Sequence, residues 1–503
     1  MISSPLFSHA PHVYGGSLRP RWVTYALQIA VVSMLGVVLA SAPLTPVALV
    51  VGAVFYGLLV LRWPTLSLYP LALAIPFGAL REISLGPATA GISEILLWSA
   101  LGAWFLCLLA NRRLLATFRA GWSPIAWALL FYTGSLTLSL LPATQMGPAL
   151  KELAKWIELL LVYLWVRSSL NEARRLQVAA AFLLAGLLQG LLGIYQFLYQ
   201  VGPPGFILLG RYMRAHGTFL QPNPYAGYLG LLLPLAYGTV VVGGGEVWRS
   251  FKSGAWLRPP WAVLYWALAL ASAIAMLAGL LMSWSRGALV GLMAGAGLVG
   301  LALARWSRWA VGGAMLILLM LVPLLLAVVP AVALARFTDV LAYMGQDLSK
   351  IEVTDENFAV LERAAHWQAA WRMFALQPWI GVGTGQYAVV YPQVALPRWQ
   401  DPLGHAHNIY LHTLAEGGLI GLGAYLLVAI VGLRSTWRAA DRGTSLARGL
   451  ALGALGMWGH LLAHHLFDNL FVHELYLLVG VLLALADRQS PKPAETAGQE
   501  GIT

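Results

Sequence analysis

A helix needs roughly twenty consecutive apolar residues to cross about 30 Å of hydrocarbon, and this chain contains about fourteen such runs. They fall near 22–40, 44–61, 63–80, 92–110, 123–141, 147–166, 176–199, 224–243, 261–282, 287–304, 309–334, 407–432, 447–466 and 470–486. No water-soluble core can absorb so many of them. With 59% hydrophobic and only 10% charged residues over 503 positions, the expected fold is an all-α integral membrane protein with about 12 to 14 transmembrane helices.

The basic residues set the expected orientation. With the N-terminus in the cytosol, most of the 31 Lys and Arg residues fall on the cytosolic side, among them Arg112, Arg113, Arg174, Arg175, Arg249, Lys252, Arg434, Arg438 and Arg442. The net charge of +11 is therefore a topology signal. Its partners are anionic lipid headgroups, and nucleic acid is not expected as a partner. Residues 1–21 lack the apolar core and cleavage site of a removable signal peptide and are expected to form a cytosolic tail. Helices one to eleven occupy 22–334, a periplasmic loop 335–406, the last three helices 407–486, and a polar, disordered cytosolic tail 487–503. The single Cys107 excludes a disulfide framework or a cysteine metal site within one chain.

In this orientation the chemistry gathers in the outward loop, in a shorter one near 200–223, and at two helix ends. Within the long loop, Val360, Ala364, Trp367, Trp371 and Phe374 recur at helical spacing, with Glu362, Arg363, His366 and Arg372 off that stripe. This predicts an amphipathic helix, capped by Asp355 and ended by Pro378, with a Trp-rich face suited to lying flat on the bilayer as a lid. The stretch from His405 to Gly421, H-A-H-N-I-Y-L-H-T-L-A-E-G-G-L-I-G, is the densest in ionisable groups. Polar groups at bilayer depth are costly and mark a pathway or a reaction centre. Gly418 and Gly421 are expected to let a neighbouring helix approach closely.

Other signals have two readings each. Arg211, Arg214 and His216 precede G-T-F-L-Q-P-N-P-Y, where an arginine is either an interfacial anchor or a functional cation. Arg286, in S-W-S-R-G-A between two apolar runs, is expensive unless paired with an anion or a carboxylate. Lys151, Lys155 and Glu158 share a helix face, as an ion-pairing stripe or as substrate contacts. His460, His464 and His465 read as polar packing between helices, with a metal site completed by Asp468 and Glu474 as the lesser alternative. Gly381, Gly383 and Gly385 in P-W-I-G-V-G-T-G-Q-Y look like a nucleotide loop but lack strand context, and a flexible connector is expected.

Taken together, the motifs resemble the O-antigen ligase and O-antigen polymerase superfamily. His407-Asn408, nine residues, then Gly418-x-x-Gly421 is similar to that family's H-N-x9-G-x-x-G signature. R-A-H-G-T-F-x-x-P-N-P at Arg214, S-R-G-A at Arg286 and P-W-I-G-V-G-T-G-Q-Y come in the family's order, over residues 211–421. The resemblance implies a GT-C-like glycosyltransferase of the cytoplasmic (inner) membrane. Such an enzyme moves a glycan from an undecaprenyl-diphosphate carrier to an acceptor hydroxyl on the periplasmic side, without cofactor or metal. Arg214 and Arg286 then answer the need to neutralise the leaving diphosphate, and His407 the need for a general base. Arg211, His405, Asn408, Tyr410 and Glu416 are the candidate substrate-binding or base-tuning residues. The acceptor is a second glycan for a polymerase, including one for exopolysaccharide, lipid A-core for a ligase, or a Ser or Thr side chain for a protein O-oligosaccharyltransferase. A flippase or transporter of lipid-linked glycans is the alternative from another class, although no inverted repeat is evident.

Overall fold

The computed structural model describes residues 44–77, 82–85, 88–120, 122–208, 210–253, 260–304, 348–354, 357–442 and 445–487. The expected spans at 22–40 and 309–334 lie outside these residues, as do the two tails beyond Asp487 and before position 44, the start of the outward loop, and Asp355. The chain divides into Met1–Arg62 and Trp63–Thr503. In the first unit, α1 (Leu44–Arg62) is an apolar helix.

The second unit begins with α2 (Leu68–Phe77) and a two-stranded antiparallel hairpin, β1 (Glu82–Leu85) with β2 (Ala88–Gly91). Then follow α3 (Ile92–Ala110), α4 (Arg112–Ala120), α5 (Pro124–Leu138), α6 (Met146–Ser169) and α7 (Glu172–Leu198). A second short hairpin, β3 (Ile207–Leu208) with β4 (Tyr212–Met213), leads into α8 (Pro222–Lys252), α9 (Pro260–Met282) and α10 (Arg286–Ala304). The segment before α13 contributes α11 (Phe358–Leu376) and α12 (Tyr387–Val394), and the chain closes with α13 (Ile409–Arg442), α14 (Ser445–His464) and α15 (Leu475–Ala486).

Every described span thus meets a helix, and six are long and apolar enough to cross a membrane: Ile92–Ala110, Glu172–Leu198, Pro222–Gly245, Trp261–Met282, Arg286–Ala304 and Ile409–Asp441. The protein is a helical, multi-pass membrane protein. Three expected spans are shorter as helices, at Leu68–Phe77, Pro124–Leu138 and Leu475–Ala486.

Helix α15 shows why a short span suffices. All twelve of its residues are buried, so it is apolar on every side because protein surrounds it. It packs on α6, α14, α13 and α2. Its last carbonyls have no intrahelical partner and are met by a guanidinium: Arg175 Nη1 donates to the carbonyls of Ala484, Leu485 and Asp487 at 3.0, 3.0 and 3.1 Å. Arg167 pairs with the Asp487 carboxylate at 3.1 Å. Arg167 and Arg175 thus have a structural role at this helix end. Elsewhere small residues let backbones approach. A Cβ on Gly459 of α14 would sit 2.7 Å from Gly295 Cα of α10, closer than any side chain permits.

Candidate functional site

The site grows from a break in α13. Gly418 has φ 61° and ψ −160°, and the chain from Pro378 to Gly383 runs across the break. Two helical pairs, 415 with 419 and 416 with 420, are opened and each group finds a new partner. Val382 N donates to Ala415 O (2.9 Å), Gly383 N to Glu416 O (3.1 Å), Leu419 N to Pro378 O (2.9 Å) and Ile420 N to Trp379 O (3.1 Å). An unwound turn in a membrane helix is tolerated where neighbouring backbone satisfies the freed groups. A Cβ on Gly418 would lie 2.4 Å from the Trp379 carbonyl carbon, and one on Gly381 would lie 2.2 Å from that of Glu416.

Two expectations are corrected here. Gly418 serves a backbone crossing and not helix-on-helix approach, and at Gly421 the nearest atom to an added Cβ is 3.7 Å away. The P-W-I-G-V-G-T-G-Q-Y segment is a docked strap and not a flexible connector. Gly381 to Thr384 are buried, and Gly381, Gly383 and Gly385 have φ of 69°, 119° and 69°, a region L-residues avoid. Glu416 fastens the strap, its carboxylate accepting from Gly385 N and Tyr387 N at 2.8 Å each. Gln386 fastens its other side, accepting from Thr144 and Gln145.

The start of α13 is stitched to the end of α14. Asn408 Oδ1 accepts from Leu411 N (3.0 Å), an N-cap, while its Nδ2 donates to Leu466 O (3.0 Å). Ile409 N donates to His465 O, and Tyr410 hydroxyl to Leu462 O at 2.7 Å. The cap leaves His407 at φ 52°, a left-handed conformation costly for a non-glycine residue and recurrent at functional sites.

His407 Nδ1 lies 3.2 Å from Asp468 Oδ1. Burial alone would raise the Asp468 carboxyl, but the hydrogen bond with His407 and the nearby Arg363 guanidinium help hold it well below the usual carboxylate range. An ionised Asp468 accepts, so His407 Nδ1–H donates, which in the neutral imidazole leaves the lone pair on Nε2. That nitrogen is buried and, among the described residues, has no hydrogen-bond partner. The His405 ring packs on it at 4.4 Å between centroids and that of His366 at 5.6 Å. Burial pushes His405 down to about 3 and His366 down to about 4, so both are neutral near pH 7.

His366 and Asp468 join the site against expectation: the sequence placed His366 off the inward stripe of its helix, and Asp468 with His460, His464 and His465. The predicted helix is present as α11, but Val360, Leu361, Ala365, His366, Ala369, Ala370 and Met373 face inward while Trp371 is exposed. The segment is therefore a packed layer over α13 with its own core, including Tyr387, Tyr391, Ala406 and Ala415, and not a lid lying flat. Arg363 Nε donates to Phe467 O, tying α11 to the residue before Asp468. The N-cap is Asn357.

The arginines arrive at the same end of the bundle. Arg214 Nε donates to Ser283 O (2.8 Å) and Nη2 to Asn223 Oδ1 (3.1 Å), which joins R-A-H-G-T-F to S-W-S-R. Arg286 opens α10, and the adjoining Gly287 packs against His464 and Phe467. From Phe467 the chain passes directly to Asp468 and so to His407. Arg211 is exposed and lies over the Tyr212 ring at 5.4 Å.

Other candidates separate from the site. Lys155 pairs with Glu152, and Glu158 accepts from Trp98 Nε1 and the Tyr476 hydroxyl, giving an ion-pairing and hydrogen-bonding stripe. His460 packs against Gly230 and Gly291 and contacts His464 at 3.2 Å, as expected for polar packing between helices. Asp468 joins His405 and His407 instead, and these three are the group, among the described residues, whose ligand atoms are close enough for a metal ion.

Fold and site together define a polytopic helical membrane protein with a histidine–carboxylate pair and two arginine-bearing segments joined by the Arg214–Ser283 hydrogen bond. Residues 271–426 match the family model described as O-antigen ligase, and the match supports the O-antigen ligase and polymerase superfamily. That segment includes Arg286, His405, His407, Asn408, Tyr410 and Glu416; Arg211, Arg214 and Asp468 lie outside it. No curated protein matches the chain.

Proposed function

We propose that the protein is a membrane glycosyltransferase of the O-antigen ligase or polymerase type, transferring a glycan from a polyprenyl diphosphate to an acceptor hydroxyl outside the cytoplasmic membrane. The reading rests above all on His407, whose Nδ1 is engaged by Asp468 and whose Nε2 has no hydrogen-bond partner among the described residues. The acceptor oxygen attacks the anomeric carbon, Nε2 takes its proton, and the bond from that carbon to the diphosphate oxygen breaks. Arg214 and Arg286 stabilise the charge that develops on the leaving polyprenyl diphosphate. The first turn of α10 adds amide dipoles of the same sign. Fixed guanidinium charge replaces a divalent ion in this scheme. Residues 335–406 lie on the periplasmic side, and the chain has about 12 to 14 spans.

A ligase and a polymerase place the same demands on this centre and differ in the acceptor. Purified protein incubated with a polyprenyl-diphosphate glycan and either a second lipid-linked glycan, lipid A-core or a Ser/Thr peptide identifies the acceptor as the one that gains mass. Carrier movement across vesicles without any new glycosidic bond would reject the transferase in favour of a flippase.

A further inference from the structure

His405, His407 and Asp468 each offer one ligand atom, and these lie within 4.8 Å of one another. Two imidazoles and a carboxylate are the donors that zinc and neighbouring transition ions favour, whereas magnesium and manganese call for oxygen. Hydrogen bonds keep the three side chains together in the absence of an ion. His407 N donates to His405 Nδ1 at 3.1 Å, a contact that zinc on that nitrogen replaces with a metal–nitrogen bond, and Asp468 Oδ1 also accepts from Asn469 N at 2.9 Å. The His407 and Asp468 side chains are only 16% and 11% exposed. Three protein ligands with a fourth position for water is an ordinary open zinc geometry.

We propose that this triad is a zinc-binding site, and that zinc bound there inhibits transfer. The inhibition rests on His407 being the general base; the binding does not. A neutral imidazole has one available lone pair, so a metal on His407 takes the pair that would accept the proton of the attacking hydroxyl. The ion also takes the Asp468 carboxylate that orients the ring. Hard cations have no comparable hold on this donor set.

Full-length protein in lipid nanodiscs, stripped by a chelator that is then removed, is titrated with zinc chloride against a chromophoric indicator. One equivalent is expected to bind, about 10- to 100-fold more weakly in His405→Gln and Asp468→Asn. His473→Gln, whose ring packs on Phe219, is expected to bind as the wild type. Cobalt(II) in the wild type, which needs no variant to fold, is expected to give visible ligand-field bands that one equivalent of zinc abolishes. In a transfer assay, saturating zinc lowers the wild-type rate by about the 10²- to 10⁴-fold that loss of a general base costs, and EDTA restores it. Failure to bind an equivalent of zinc, binding equal in wild type and His405→Gln, or absence of cobalt bands overturns the site. Zinc bound at the triad with transfer undiminished overturns the inhibition. If no acceptor is ever glycosylated, the transferase reading fails while the titration still decides the metal site.

Discussion

His407 was legible in the sequence because it stands in a short motif at the mouth of an apolar run, and its partner was not, because Asp468 is 61 residues further on. Nothing local to L-F-D-N-L distinguishes a carboxylate that aims at a distant imidazole from one that merely ends a helix; only the stitching of α13 to α14 brings the two together. His366 was placed on the polar side of its helix when it lies on the inward face, since the small residues around it carry no strong apolar signal. If the pair acts as described, His407→Ala lowers transfer by about 10² to 10⁴ while the protein still inserts and folds. Asp468→Asn falls in a similar range because the amide no longer fixes the Nδ1–H tautomer. A rate within a few-fold of wild type for His407→Ala would remove it as the base. Arg214→Lys and Arg286→Lys are expected to recover only part of what Ala removes in donor binding and turnover, because a point charge lacks the guanidinium fork. Full activity of both Lys variants, measured by steady-state transfer, would show that charge alone suffices.

At the scale of the element, hydropathy located the described helices well, since apolar length is a one-dimensional property. It could not foresee that α13 is broken and that a strap of backbone fills the break, because that depends on which segment crosses which. The two glycines of the G-x-x-G motif consequently separate. Gly418→Ala places a Cβ 2.4 Å from Trp379 backbone at a left-handed φ, so it is expected to undock the strap and abolish transfer. Gly421→Ala meets only ordinary contacts and is expected to retain activity within about two-fold, a helical Gly→Ala change being favourable by about 1 kcal/mol. Equal loss in both variants, with folding followed by detergent-solubilised thermal melting, would restore the helix-approach reading. The same melt tests α15. Arg175→Gln leaves the carbonyls of Ala484, Leu485 and Asp487 without their cation, and buried unsatisfied acceptors of this kind cost roughly 2 to 4 kcal/mol in total. A clear drop in melting temperature is expected. An unchanged one would mean that water or another side chain caps the helix equally well.

At the scale of the whole molecule, α15, about 18 Å long at 1.5 Å per residue, runs between the segment that carries Asp468 and the Arg175–Asp487 cap. The chemistry at the Asp468 end bears on how the diphosphate is handled. A divalent ion would need hard oxygen ligands. Glu352, Glu362 and Asp401 lie outside the Arg214 and Arg286 motifs in sequence, and Glu362 and Asp401 bear on His407 and His366; burial raises the Glu362 carboxyl and makes it a poorer anion. Asp468 is already committed to His407. Transfer is therefore expected to persist in excess EDTA after the membranes are stripped of divalent ions, and added magnesium or manganese should change the rate by little. If residual zinc occupies the His405–His407–Asp468 triad as isolated, EDTA should raise the rate, which is the opposite of what a metal-dependent transferase does. If chelation stops transfer and magnesium or manganese restores it, the arginine-based mechanism is wrong, and the acidic residues of the 335–406 segment become the candidates for the ion that holds the diphosphate.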